Sequence, residues 1–305
     1  MNKLHTLTVS AMLVGLLLSS FGCEIEGSLT VESTEKYIGT DVTKTIDWSS
    51  GQDLQIDSRN GEVNVVVGDY DSITVLFEPF TFRGPDEEEE AKAEMDNSLV
   101  KSVDYDDSGA VFVYTQKDGP GSSSLGADIT VAIPPDFDAG IFIDQDGSGN
   151  VHIDDVGEAI HLGVTTGGVS TCIINAAPTV VESLVWCGAV KLDGVSGHVD
   201  VRADFLDGNA WVRMASVEPD NGDSVIYTDD GDIVLTLPSD EGYNVQAWVV
   251  SGGGVVNTGD VPEDCEEVVA DEGSKTVSCG AGPTFDLQAG LDVVGDPVNI
   301  ELRYE

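Results

Sequence analysis

Basic side chains are scarce in this chain. It carries 13 Lys and Arg against 56 Asp and Glu in 305 residues, a formal net charge of −43. Nucleic acid binding needs cations to neutralise phosphates, and adsorption to anionic lipid headgroups needs them too, so both partners are excluded. Such a surface favours solubility, repulsion between copies and a loose cloud of cations. Salt screens that repulsion, which suits a saline habitat. Histidine is scarcer still, with only His5, His152, His161 and His198. Long apolar runs are missing beyond Leu7–Leu18, so nothing later approaches the ~18–20 residues of a membrane-spanning helix. The chain has no Gly-x-Ser-x-Gly elbow for a serine nucleophile and no Cys-x2-Cys spacing for zinc. Hydrophobic residues nevertheless make up 41% of the chain, enough for a continuous core.

The N-terminus reads as an address. Lys3 and His5 precede the apolar stretch, and small residues follow it, a pattern and length suited to a signal peptide. Ser20-Phe21-Gly22-Cys23 resembles a bacterial lipobox, in which the cysteine receives diacylglycerol before cleavage, although Ser20 stands where Leu is usual. The expectation is a lipoprotein signal over 1–22, lipidation at Cys23, a tether with an edge strand over 23–45, and one β-repeat domain over 46–305. Setting Cys23 aside leaves Cys172, Cys187, Cys265 and Cys279, an even number that suggests two disulfides in an oxidising compartment. Of three pairings, the local one (Cys172–Cys187 and Cys265–Cys279) needs the fewest assumptions.

What the chain has in quantity is a phased glycine followed by alternating apolar residues. It appears as Gly61-Glu-Val-Asn-Val, Gly149-Asn-Val-His-Ile, Gly188-Ala-Val-Lys-Leu, Gly208-Asn-Ala-Trp-Val and Gly231-Asp-Ile-Val-Leu, with fainter copies between. From Gly149 onward, with the fainter copy at Gly167 counted, the copies recur every 18–23 residues. Alternation marks half-buried strands, and glycine supplies positive φ at the turns. A unit this short cannot bury its apolar face alone and must stack on its neighbours. The expected fold is all-β: a β-solenoid, parallel-β-helix-like stack of short strands, with a β-sandwich as the alternative. Pro85 and the acid run Asp86–Glu90 predict one short helix near 86–100 inside a helix and loop excursion over 79–126. A cysteine-stapled insertion is expected over 256–280.

Chemistry-bearing patterns are few. Asp144, Asp146, Ser148, Asn150 and Asp155 match several positions of a calcium loop, but Asp155 replaces the bidentate Glu that calcium prefers. A turn between strands explains the same residues, and any calcium bound there is weak; no other cofactor is implied. His152 and His198 fall at outward positions. Lys191, Arg202 and Arg213 are the basic residues within the repeats, and half-repeat spacing could bring Arg202 near Arg213. Trp48, Trp186, Trp211 and Trp248 could stack on sugars, but three lie inside predicted strands, where core packing is the commoner fate.

The strand pair of Leu54–Val63, the helix-bearing excursion, the strand ending in Ile133-Pro134 and the phased repeats, densest over 188–237, together resemble the bacterial putative-adhesin family of β-strand-repeat proteins, catalogued as a domain of unknown function. The resemblance covers roughly residues 50–256. It implies an exported, sometimes lipid-anchored surface protein and brings no catalytic residues. The functional expectation is a non-enzymatic, adhesin-like binding or structural module on the extracytoplasmic side of a bacterial envelope. Its membrane contact is the lipid, and its ligand is a cell-surface or wall glycan or a protein. A cation-sequestering or sensory envelope protein is the alternative, and a solenoid carbohydrate-active enzyme stands behind both.

Overall fold

A computed structural model describes residues 34–305, except 70, 120–122, 168, 205–207, 218–221, 251–253 and 291–296. In chain order the strands are β1 (Glu35–Ile38), β2 (Val42–Asp47), β3 (Leu54–Ser58), β4 (Val63–Val67) and β5 (Ser72–Arg83). Helix α1 (Glu88–Ser98) follows, then β6 (Leu99–Tyr105), β7 (Val111–Lys117), β8 (Gly126–Ile133), β9 (Gly140–Gln145) and β10 (Val151–Asp154). Next come β11 (His161–Thr166), β12 (Thr171–Asn175), β13 (Glu182–Cys187), β14 (Ala189–Ser196), β15 (His198–Ala203) and β16 (Ala210–Ser216). The last are β17 (Ser224–Thr228), β18 (Ile233–Leu237), β19 (Tyr243–Val249), β20 (Val256–Asn257), β21 (Glu266–Asp271), β22 (Ser274–Cys279), β23 (Thr284–Ala289) and β24 (Ile300–Tyr304).

These strands form two mixed sheets of 12 strands each, so the described residues are all-β apart from α1. From β9 to β18 successive strands alternate between the sheets, and each strand from β9 to β16 pairs in parallel with the strand two ahead of it. One strand in each sheet thus makes a coil. The coils stack in the order β7/β8, β3/β4, β9/β10, β11/β12, β13/β14, β15/β16, β17/β18, β23/β24 and β19/β20. At both ends the chain runs out past its neighbour and doubles back, so β3/β4 and β23/β24 are second from the ends. Antiparallel pairing is confined to the caps: β1, β2 and β5 beside β8, β6 beside β7, and β21 and β22 beside β19.

The glycine-phased repeat dictates this arrangement through three positions. The first apolar residue after the corner turns inward, and equivalent residues lie on one register line, Val63–Val151–Cys172–Val190–Ala210–Ile233–Ile300. All of them are buried, and the parallel line through Ile153 and Ile174 does the same. The residue before that position reaches along the stack: Asn150 Oδ1 accepts from the Thr171 N–H (3.0 Å), Asn209 Oδ1 from the Asp232 N–H (2.7 Å), and Asp232 Oδ1 from the Asn299 N–H (2.6 Å). These bonds satisfy corner backbone that no strand ladder can reach. The glycine before it lets the coils approach. A Cβ on Gly149 (φ +151°) would meet Gly61 O at 1.8 Å, and one on Gly231 would meet Gly208 O at 2.1 Å. Gly61 and Gly149 combine positive φ with close backbone approach, whereas at Gly231 close approach alone is the requirement. Gly188 and Gly208 are buried at the same corner, before β14 and β16.

The helix caps one end of the core. Ala91 and Met95 are buried, and Glu94, almost fully enclosed, accepts from Thr81 Oγ1 (3.1 Å) and pairs with Arg83 (2.8 Å) on β5. The end of the stretch expected as tether and edge strand over 23–45 forms β1 and most of β2, which runs on to Asp47, and both pair with β5. Both disulfides are the local pairs, Cys172–Cys187 and Cys265–Cys279. The first joins β12 in one sheet to β13 in the other across the core, and the second closes the β21–β22 hairpin.

Candidate ligand-binding face

The sheet containing β9, β11, β13, β15 and β17 turns a long outer face to solvent. Two rows of outward side chains cross it in register. The first reads Phe112, Gln55, Phe142, Gly163, Leu184, Asp200, Val225, Asp286, Gln246 from β7 to β19. The second, two residues further along each strand, reads Tyr114, Asp57, Asp144, Thr165, Trp186, Arg202, Tyr227, Gln288, Trp248. Inward residues between them, such as Ile56, Ile143, Val164 and Val185, are buried.

At the centre of the face is a shallow hollow of ≈ 450 Å³ over Phe142, Gly163, Thr165, Leu184 and Trp186. Phe142, Leu184 and Trp186 are 38%, 42% and 42% exposed, unusual for large apolar groups and a mark of interaction surface when they are contiguous. Phe142 lies low because its neighbours lack side chains. Its ring carbons come within 2.5 Å of where a Cβ on Gly140 would sit and within 2.8 Å of one on Gly163. Trp186 is held from the other side, where the Arg202 guanidinium lies 4.7 Å from its ring centroid, a cation–π contact; Asp200 in turn pairs with Arg202 at 3.2 Å. Two further hollows continue the trough, one of ≈ 500 Å³ lined by Arg202, Tyr227, Asp229 and Gln288, the other of ≈ 500 Å³ lined by Asp57, Phe112 and Tyr114. Phe112 and Tyr114 stack with centroids 5.2 Å apart.

Carboxylates line this trough, Asp57 and Asp144 in its central hollow and Asp204 and Asp229 in the next. Burial raises the pKa of Asp57, and Asp144 and Asp146 add to the rise by repulsion. Asp204 is raised by burial and then by Asp229. The anionic forms are therefore disfavoured here, and a second anion is unwelcome.

The tryptophans depart from the sequence expectation. Trp186 and Trp211 stand outward, the latter 49% exposed on the opposite sheet, and neither packs in the core. Alternation explains this, because each follows and precedes an inward Val, Cys or Ala and so falls on the outer phase. Trp48 alone stacks inward, 5.3 Å from buried Phe137. Arg202 and Arg213 are not brought together. They lie on different sheets, and Arg213 pairs with Asp193 (2.6 Å). His152 is exposed on β10, while His161 and His198 flank Glu182 on one register line of the second sheet.

The calcium-loop residues are not gathered either. Asp144 and Asp146 precede the corner before β10, Ser148 and Asn150 lie within it, and Asp155 follows the far end of the strand, where its carboxylate accepts from the Gly157 N–H (2.9 Å). Asn150 is occupied by the coil-to-coil bond to Thr171. Among the described residues no group of three or more His, Cys, Asp or Glu is placed to hold a metal ion. Cys23 lies outside the described residues, and no described helix is long and apolar enough to cross a membrane.

No family model matches the chain, and no curated protein does. Solved structures similar to it include a putative cell adhesion protein from Clostridium sporogenes, with 12% identity, a TM-score of 0.36, and coverage of 87% of this chain and 99% of that one. Another is a putative adhesin from Bacteroides fragilis, with 13% identity, a TM-score of 0.37, and coverage of 86% and 97%.

Proposed function

We propose that the protein is a lipid-anchored, extracytoplasmic binding module, a β-solenoid that presents the trough-bearing sheet as its contact surface and carries out no catalysis. The observation that supports this most is the trough itself. Exposed Phe142, Leu184 and Trp186, with half-buried Phe112, Tyr114, Tyr227 and Trp248, run across strands whose remaining outward positions are mostly polar, on a scaffold fixed by parallel register and a disulfide between the sheets. Rigid scaffolds that expose contiguous apolar groups do so for partners. The two disulfides belong to a protein that matures outside the reducing cytoplasm, and a diacylglyceryl group on Cys23 accounts for attachment to a membrane that the −43 charge would otherwise disfavour.

The test has two arms. Fluorescently labelled full chain is applied to intact bacteria and to isolated cell-wall material, with the variant Trp186→Ala/Tyr227→Ala/Trp248→Ala alongside. The reading predicts saturable retention that the triple variant loses; equal retention of the two proteins contradicts it. Globomycin treatment of expressing cells, with mass spectrometry of the N-terminal peptide, is expected to block cleavage before Cys23. A peptide cleaved normally under the drug contradicts the lipid anchor.

A further inference from the structure

The aromatic residues of this outer face, those of the trough and Trp248 beyond its end, are periodic across the sheet. Trp248 stands on β19, Tyr227 on β17, Trp186 on β13, Phe142 on β9, and Phe112 with Tyr114 on β7. Between each of these strands and the next lies a single strand, β23, β15, β11 or β3. On these intervening strands the outward pairs are Asp286 and Gln288, Asp200 and Arg202, Gly163 and Thr165, and Gln55 and Asp57; none is aromatic, and each strand offers at least one hydrogen-bonding side chain. An aromatic ring therefore recurs every second strand along the stack axis, roughly every 9–10 Å at the usual inter-strand spacing. Core packing does not impose this spacing, since the residues face outward.

From this period we infer that the trough binds a linear, uncharged β-1,4-linked polysaccharide laid along the stack axis. The inference rests on the reading of this face as the binding surface and names what it takes. In an extended β-1,4-linked chain the equatorial linkages leave axial C–H groups on both ring faces, which pack against aromatic rings. Alternate sugars share one orientation, and the two-sugar repeat is about as long as two strand spacings. One sugar in two thus faces Trp248, Tyr227, Trp186 or Tyr114 along the second row, and at β9 Phe142, two residues away in the first row, flanks the chain instead. The sugar between them presents its hydroxyls to the polar strand. An α-1,4-linked chain coils and cannot hold this register. An anionic chain is repelled by the net charge and by Asp57, Asp144, Asp204 and Asp229 within the trough.

The experiment is titration calorimetry on the full chain with its disulfides intact. The probes are β-1,4-linked hexasaccharides of glucose and of N-acetylglucosamine, the matching disaccharides, maltohexaose and polygalacturonate. The two β-1,4 sugars separate a cellulose-type source from a chitin-type one. At least one hexasaccharide is expected to bind ten-fold or more tightly than its disaccharide, with maltohexaose and polygalacturonate not binding. Trp186→Ala and Trp248→Ala should each weaken binding about ten-fold, the size of one lost ring contact. Trp186→Phe should restore most of it, and Trp211→Ala, on the opposite sheet, should change nothing. Unchanged melting temperatures of these surface variants establish that they fold. The inference is overturned if neither β-1,4 hexasaccharide binds, if maltohexaose binds equally, or if Trp186→Ala has no effect. If these sugars fail while the triple variant still loses retention on cells, only the ligand assignment falls. If retention survives the triple variant, the face itself is misassigned.

Discussion

At the scale of single residues, the corner motif of glycine, Asn or Asp, then an aliphatic residue is a three-part device. Each part has its own failure mode. Asn150→Ala removes the acceptor for the Thr171 N–H and should cost about 1 kcal/mol in a denaturant melt. Gly149→Ala should cost more, because its Cβ would strike Gly61 O in the neighbouring coil at a φ of +151°. Equal costs for the two would contradict this division of labour. Ile153 lies on its register line between Val65 and Ile174, so Ile153→Ala should cost about 2–5 kcal/mol. Charge supplies a further residue-scale prediction. The pKa of Asp57 is raised above 3.8, first by burial and then by Asp144 and Asp146. Above its folded pKa the native state therefore holds a disfavoured charge, and below 3.8 the group is neutral in both states. Asp57→Asn should raise the melting temperature at pH 7. That gain should shrink as pH falls through the raised pKa and vanish below 3.8; a gain constant with pH would refute the assignment.

At the scale of elements, the parallel stack and the antiparallel caps were unequally legible. Glycine phasing with period-two alternation exposed the repeats, the acid run after Pro85 marked α1, and the local cysteine spacing suggested both disulfides. The coil order at the ends was not legible. β23 inserts between β17 and β19 although it follows β19 in the chain, and local patterning carries no information on which strand a distant segment will join. The outward tryptophans were readable in principle from alternation alone, but general burial statistics pointed the other way. The Cys172–Cys187 bridge closes a separation of 15 residues between the two sheets. Replacing both cysteines by Ala should cost about 3 kcal/mol, with hydrogen exchange rising first in β12 and β13. Exchange rising instead at the β21–β22 hairpin would argue against that bridge as the inter-sheet tie.

At the scale of the whole molecule, stability sums over coil-to-coil interfaces, with the caps shielding the ends. The caps also blunt open edges: β21 is exposed throughout and carries Glu266, Glu267 and Asp271, charges that discourage pairing with another chain. The net charge of −43 adds long-range repulsion along the entire stack. Melting temperature should consequently rise as sodium chloride is increased from about 10 mM to 1 M, as the screening length shortens from roughly 30 Å to 3 Å. A melting temperature insensitive to salt would mean that the charges are already compensated.

In the repeats from β9 to β18 consecutive strands belong to opposite sheets, each lying beside the strand one coil onward. Nuclear Overhauser contacts between backbone protons report that neighbourhood directly. Cross-strand contacts should link Val151 with Cys172, Cys172 with Val190, and Ala210 with Ile233, each in parallel geometry. Antiparallel contacts between Val151–Asp154 and His161–Thr166, the signature of hairpins within one sheet, would contradict the stack and the ribbon of aromatics built on it.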